Sequence, residues 1–431
     1  MPGDKSISHR ALLLSMMAMG RSRITGLSQA ADVKATRAAI EALGAQVKED
    51  DQGIYVDGVG TALQEPAQVI DVGNSGTLMR LLTGVLAPAP GRLFFLTGDS
   101  SIVHRPMARV IDPLSAMGAS ILGRHENQFA PLLIQGRTLQ GITISMSTPS
   151  AQVKSALILA GLSADGETVI IESEPTRAHT EEMAPFFGAH ISREFDGEFS
   201  SVIRVVRSVL RAHDVDVAGD PSAAAFFVVL GLIGAAPVHV NGVYLGPERE
   251  GFIEVLRAMG ARIDVAEQGP GLYSVSAHPS ELNGVDVGPN GIPGLIDEVP
   301  ILAVAAARAR GVTRFFGVGE LRFKESDRIA TTVAMLEAFG VHCQASADSF
   351  EVTGSSQEAT HKRRSVESNF DHRIAMSAAI MASVHRGTTT INGFESVETS
   401  FPGFLDVLAE CGIRASVDKE HHHKLAPKSQ G

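Results

Sequence analysis

Lys5, Ser6, Ser8, His9 and Arg10 stand together in PGDKSISHR, directly ahead of an apolar run from Ala11 to Met19. Two cations and two hydroxyls at the mouth of such a segment are costly to bury without partners, and an anion would supply one. Similar polar openings precede other apolar runs. Asn74, Ser75, Gly76 and Thr77 lead to Arg80 in NSGTLMRLL, while Ser150, Ala151 and Gln152 lead to Lys154 in SAQVKSALIL. His372 and Arg373 open DHRIAMSAAIM. Helix N-termini carry unsatisfied N–H groups and partial positive charge, and so favour anions. Capping alone accounts for the Ser, Asn and Asp residues. It does not account for Lys5, Arg10, Arg80, Lys154 and Arg373 in the same segments, which together describe a cleft for a multiply anionic small molecule.

Further chemistry lies between these runs. Gly76 lets backbone N–H groups approach a ligand closely. Arg105 precedes Pro106, which restrains the backbone there. In TRAHTEEM, Arg177 is the ligand candidate, and Thr180 to Glu182 read as the opening of a surface helix. Asp297 and Glu298 open the apolar IDEVPILAVAAA, where burial raises a carboxylate's pKa and nearby cations lower it. A carboxylate so tuned makes a general base, with helix capping by Asp297 the competing reading. In ELRFKESDR, Lys324 and Arg328 lie four apart, as on one helical face, with Glu325 between; ordinary salt-bridging of a helix surface also explains such a run. His372 has no second His at ligand spacing, so no metal is indicated.

The elements that must position these residues show a period. AAIEALGAQV, DPLSAMGASI, EEMAPFFGAH, IEVLRAMGARI, VAMLEAFGVHC and FLDVLAECGIRA each end a helical pattern on glycine and continue as a short strand. The glycines are Gly44, Gly118, Gly188, Gly260, Gly340 and Gly412, about 70 to 80 residues apart. Glycine at C′ closes a helix in the left-handed conformation at no steric cost. Each unit also holds one polar-headed helix that is apolar all round and therefore belongs in an interior. Three units per globule and two globules per chain divide the length most simply.

At 431 residues the chain suits two or more domains. Its 44% hydrophobic and 20% charged content is that of a soluble globular protein. A net charge of −11 argues against a nucleic-acid partner but leaves a local basic cleft open. Cys343 and Cys411 stand alone, so neither a disulfide framework nor a cysteine zinc site is indicated, and a reducing cytoplasm is expected. The run Ala11–Met19 imitates a signal peptide, but it lacks a good small-residue cleavage site and is too short to span a bilayer. No membrane association is expected. The polar C-terminal stretch, with His421, His422 and His423, reads as a solvated tail.

Taken in order, PGDKSISHR, GNSGT…R, GD…RPM, SAQVKSA, GD…AAFF, IDEVP, ELRFKESDR, DHRIAM and SFPGF resemble the 5-enolpyruvylshikimate-3-phosphate synthase family, in the branch called class II. The resemblance implies an α/β fold of two lobes, each made of three βαβαββ units, with the buried helices' N-termini facing the cleft. The lobes would span 4–217 and 218–418, with 1–3 a remnant of the second lobe's N-terminal strand and 419–431 a disordered tail. It implies transfer of the enolpyruvyl group of phosphoenolpyruvate to the 5-hydroxyl of shikimate 3-phosphate, with phosphate released and no cofactor. Lys5, Ser6, Arg10, Ser150, Ala151, Gln152, Arg177, Asp297 and Lys324 are then expected at shikimate 3-phosphate. Lys5, Gly76, Arg105, Gln152, Arg328 and Arg373 are expected at phosphoenolpyruvate, with Arg80 in support. Asp297 is the candidate base for the hydroxyl, and Lys324 and Glu325 are candidates for proton traffic at the methylene carbon.

Gly76 further implies inhibition by glyphosate, because tolerant relatives carry alanine there. Family members have a longer segment before PGDKS, and its shortness here implies either an upstream start or an open sheet edge in the second lobe. Thr399 stands where some relatives have lysine. A monomer that closes around substrate is expected, with Lys5, Arg10 and Arg105 in one lobe and Asp297, Lys324 and Arg373 in the other. Competing readings are an enolpyruvyl transferase for UDP-N-acetylglucosamine, disfavoured by the late position of both cysteines, and an RNA 3′-phosphate cyclase, disfavoured by charge. An inactive, anion-binding paralogue is the remaining one.

Overall fold

The computed structural model describes residues 1–195, 200–246, 248–354 and 363–417. The tail from 419, with His421 to His423, lies outside the described residues. The six apolar segments form helices α1 (Lys5–Met17), α2 (Gly76–Leu86), α3 (Ala151–Gly161), α4 (Pro221–Ile233), α5 (Val299–Ala307) and α6 (His372–Ser383). They are buried round most of their circumference, as their unbroken apolarity requires. All but α5 begin with a short polar side chain folded back on the backbone. Asp4 accepts from the Ile7 N–H at 2.8 Å, Ser75 from Leu78 at 3.1 Å and Ser150 from Val153 at 3.4 Å. Asp220 accepts from Ser222 at 2.7 Å and Asp371 from Arg373 at 3.0 Å. The bland capping reading is therefore correct for these residues, and three of the caps are carboxylates suited to a positive helix end.

The second helix of each unit ends where the repeat placed it. Gly44, Gly118, Gly188, Gly260, Gly340 and Gly412 hold φ between 80° and 106°. Between buried helices, Gly84 is needed for space: a Cβ there would lie 2.2 Å from the Ala156 carbonyl oxygen of α3.

One strand order recurs. A two- or three-residue strand pairs in parallel with the strand that follows the buried helix, and this pairs antiparallel with the far arm of a hairpin. Thr143–Ser145, Glu167–Glu172, Ser201–Val206 and His190–Phe195 stand in this order. So do Ile70–Asp71, Leu93–Thr97, Phe129–Gln135 and Ser120–Gly123. In the first unit the short strand is Val215–Asp216, paired with Met19–Thr25, so the end of the first lobe closes on its beginning. In the last unit only Arg363–Glu367 and Thr388–Asn392 pair, and the other edge of Thr388–Asn392 is open among the described residues.

Apolar side chains separate into two cores, one drawn from residues between Ile7 and Val217 and the other from Ala223 to Leu408. The chain crosses between them where Asp4 N–H donates to Ala218 O at 2.7 Å and Asp220 N–H to Pro2 O at 2.9 Å. No single helix among the described residues is long and apolar enough to cross a membrane.

Candidate active site

Hydrogen bonds between helix openings define where the site lies. In the first lobe, Arg10 of α1 reaches Ser155 of α3 at 2.6 Å, and Gln152 of α3 reaches Thr77 of α2 at 2.9 Å. In the second, Ser222 of α4 donates to Glu298 ahead of α5, and Arg373 of α6 donates to the Asp297 carbonyl at 3.0 Å. Lys5 N–H bonds Asp220 at 3.2 Å and so joins the lobes. The six N-termini therefore meet along one seam.

Asp297 is the centre of that seam. It accepts from Arg177 of the first lobe at 2.8 Å, and from Arg328 at 3.2 Å and Lys324 at 3.5 Å in its own. Burial alone would raise its pKa, but Lys324, Arg373, Arg177 and Arg328 outweigh burial and hold it well below the usual carboxylate range. Its side chain does not cap α5, which has no side-chain cap. The capping reading fails here.

Glu325 repeats the arrangement nearby. It pairs with Arg105 across the seam at 3.4 Å and with Arg328 beside it. Burial is again outweighed, by Arg328 and Arg105, and its pKa falls well below the ordinary value. Lys324 shifts down instead, because burial, aided by Arg328 and Arg177, outweighs Asp297 and Glu325. Arg328, 1% exposed, is saturated by Asp371, Glu325 and Asp297. Lys324 and Arg328 do not share a helical face. Lys324 follows a 3-10 turn and the helix begins at Arg328, yet both reach Asp297.

On the first-lobe wall, Lys5 Nζ pairs with Asp32 at 3.0 Å. Arg105 is in extended conformation before Pro106, as proline demands of its predecessor. A Cβ on Gly76 would lie 2.7 Å from Arg105 Nη1 and 3.2 Å from Arg80 Nη1, so this position is small because guanidinium groups crowd it. Arg80 bonds Gln152, and burial, then Arg109 and Arg105, bring its pKa to about 9. Ser150 and Ala151 open α3, with the Ser150 hydroxyl spent on the cap. Ser6 gives its carbonyl to Arg10 at 3.0 Å. Arg10 also donates to Thr180 at 2.7 Å, and burial lowers its pKa to about 10. Arg177 is shifted upward, since Asp297 and Glu298 more than offset its burial.

Two further expectations are overturned. Lys154 does not reach the seam: it is fully buried in the first lobe, 3.0 Å from Glu172 and 2.8 Å from Glu181. Thr180 is not on a surface helix either; His179–Met183 packs inward and Thr180 holds Arg10. Asp32, Asp371 and Arg249 were missed. Each has the signature of an ordinary helix-end or loop charge, and only tertiary packing buries it. Cys343 is buried in the second core, its thiol pushed up to about 12 by burial, and Cys411 is exposed on the same lobe. Neither lies on a first-lobe loop.

The enolpyruvyl transferase NikO from Streptomyces tendae shares this fold, with a TM-score of 0.72 and 20% identity over 96% of this chain and 94% of that one. The family model of EPSP synthase (3-phosphoshikimate 1-carboxyvinyltransferase) matches residues 1–408, and the chain belongs to that family. It is 42% identical over 415 residues to the 3-phosphoshikimate 1-carboxyvinyltransferase of Geotalea uraniireducens, covering 94% of each. It is 44% identical over 420 residues to that of Prochlorococcus marinus, covering 94% of this chain and 93% of the relative. The EPSP synthase structure from Acinetobacter baumannii superposes with a TM-score of 0.81 at 38% identity, over 96% of this chain and 94% of that one. The activity that goes with the family is transfer of the enolpyruvyl group of phosphoenolpyruvate to shikimate 3-phosphate, in aromatic amino acid biosynthesis.

Proposed function

We propose that both substrates bind in the seam, where their carboxylates and phosphates take over cations now held by Asp297, Glu325 and Asp32. Shikimate 3-phosphate rests on Lys5, Ser6, Arg10, Ser150, Ala151, Gln152 and Arg177, with its 5-hydroxyl toward Asp297 and Lys324. Phosphoenolpyruvate rests on Lys5, Gly76, Arg105, Gln152, Arg328 and Arg373, and Arg80 adds charge. Arginine suits these places because its fork meets carboxylate and phosphate oxygens in pairs.

The residue roles follow from protonation. Asp297, ionised, takes the hydroxyl proton as that oxygen bonds to C2 of phosphoenolpyruvate. Lys324, its ammonium made more acidic by burial, gives a proton to the methylene carbon. The arginines and Lys5 balance charge on the tetrahedral adduct. Glu325, ionised, then takes a proton from the new methyl group as the C2–O bond to phosphate breaks. The observation that carries this reading is Asp297, a partly buried carboxylate kept ionised by cations from both lobes. Phosphate release tests it: release must need both substrates and must be lost in Asp297→Ala and Glu325→Ala. Tight binding of both substrates without release would favour an inactive anion-binding protein instead.

The same reading covers lobe limits at 4–217 and 218–418, a cytoplasmic monomer, and inhibition by glyphosate competing for the phosphoenolpyruvate cations. Sedimentation and turnover with millimolar-order glyphosate check the last two; an unchanged rate there would overturn the inhibitor assignment.

A further inference from the structure

Arg249 has no part in the chemistry above. It lies in the loop between Val238–Tyr244 and the helix Gly251–Ala258 and is 4% exposed. Its Nη2 donates to Asp4 Oδ2 at 3.1 Å, Asp220 Oδ1 at 3.3 Å and Ser222 Oγ at 3.3 Å, and its Nη1 is 4.0 Å from Glu298 Oε1. Asp4 and Asp220 cap α1 and α4, and Glu298 leads into α5. One guanidinium therefore gathers the openings of buried helices from both lobes.

The segment just ahead of Arg249 is held across the lobe junction at two places. Glu248 pairs with Arg193 of the first lobe at 3.0 Å and holds a φ of 57°, a conformation glutamate adopts only under constraint. Tyr244 donates to Glu182 of the first lobe. Within the cluster, burial and Asp220 push the Asp4 carboxyl upward and Arg249 draws it back. Without the guanidinium, Asp4 and Glu298, both buried, and the partly buried Asp220 would face one another as like charges and drive the helix ends apart. That would move Lys5 and Ser6, at the start of α1, relative to Asp297, just ahead of α5. Glu298 also accepts from Arg177 at 3.5 Å, the guanidinium that binds Asp297.

We propose that Arg249 is a positioning residue for the transfer reaction: it ties the opening of α1 to that of α5 and so fixes the shikimate 3-phosphate clamp relative to Asp297. The inference rests on Asp297 being the base. Arg249→Met is expected to lower kcat per folded molecule by about ten- to a hundredfold, the scale of a small misplacement of reacting groups. KM for phosphoenolpyruvate should change less than kcat, since Arg105, Arg328 and Arg373 make no contact with the cluster and only Lys5, through its N–H to Asp220, adjoins it. Adding Asp4→Asn removes one carboxylate but keeps a good cap, and part of the lost kcat should return; thermal unfolding of each variant separates folding from positioning. Arg249→Met at wild-type kcat while Asp297→Asn is slowed overturns this proposal alone, as does a loss that Asp4→Asn leaves unrelieved. Asp297→Asn at wild-type kcat overturns the base assignment and this proposal with it.

Discussion

Arg177 Nη1 of the first lobe lies 2.8 Å from Asp297 Oδ2 of the second, so the carboxylate assigned as base is also a bond between the lobes. Asparagine keeps the shape of that side chain and can still accept hydrogen bonds, but it cannot take a proton. Asp297→Asn should therefore reduce kcat by about 10²- to 10⁴-fold, the usual worth of a positioned general base. Steady-state phosphate release measures it. A loss confined to KM would show that Asp297 only binds.

The pH dependence has a definite sign on each side. Asp297 and Glu325 titrate well below ordinary carboxylates, so neither should produce an acid limb above about pH 4. Lys324 is lowered from 10.5. Corrected for the phosphate titration of the substrates, kcat/KM should fall on the alkaline side with an apparent pKa below 10.5, and Lys324→Met should abolish that limb along with most turnover. The depressed carboxylates stabilise the fold above their unfolded pKa values near about 4, and that stability declines progressively as pH falls below those values toward the lower folded ones. Urea unfolding from pH 7 to pH 3 reads it.

Gly76→Ala places a methyl group 2.7 Å from Arg105 Nη1. The guanidinium is the far end of a flexible side chain and can move, so folding should survive. The displaced charge lies where phosphoenolpyruvate is assigned, so its KM should rise, and glyphosate inhibition should weaken by a larger factor than KM changes. Inhibition curves at fixed phosphoenolpyruvate decide it. Parallel changes in both constants would mean that Arg105 holds inhibitor and substrate alike.

The sequence made the periodic part of this molecule readable. Gly44 and its five counterparts announce their left-handed φ through a local rule, and α5 announces its burial by being apolar on every face. Charges were less legible, because a side chain's type does not say which way it points. Lys154 shares α3 with Gln152, yet Gln152 turns to Arg80 at the seam while Lys154 turns into the lobe. Arg249, between Glu248 and Glu250, reads as a solvated loop charge. Its burial depends on Asp4, 245 residues away in sequence, and no local pattern carries that.

Lys154 gives the sharpest contrast between a structural and a catalytic cation. Its ammonium contacts Glu172 at 3.0 Å, Glu181 at 2.8 Å and the Thr176 carbonyl at 2.9 Å, with no exposure to solvent. Lys154→Met keeps the volume but leaves buried Glu181 without its ion-pair partner and Glu172 with only Arg193, 3.9 Å away, a change that typically costs about 3–5 kcal/mol. Thermal unfolding should register a large drop, while kcat per folded molecule stays near wild type. Replacing Glu172 and Glu181 with Gln in the same variant removes the stranded charges and should restore much of the stability. A substrate clamp would behave in the opposite way, losing kcat/KM with little change in unfolding temperature.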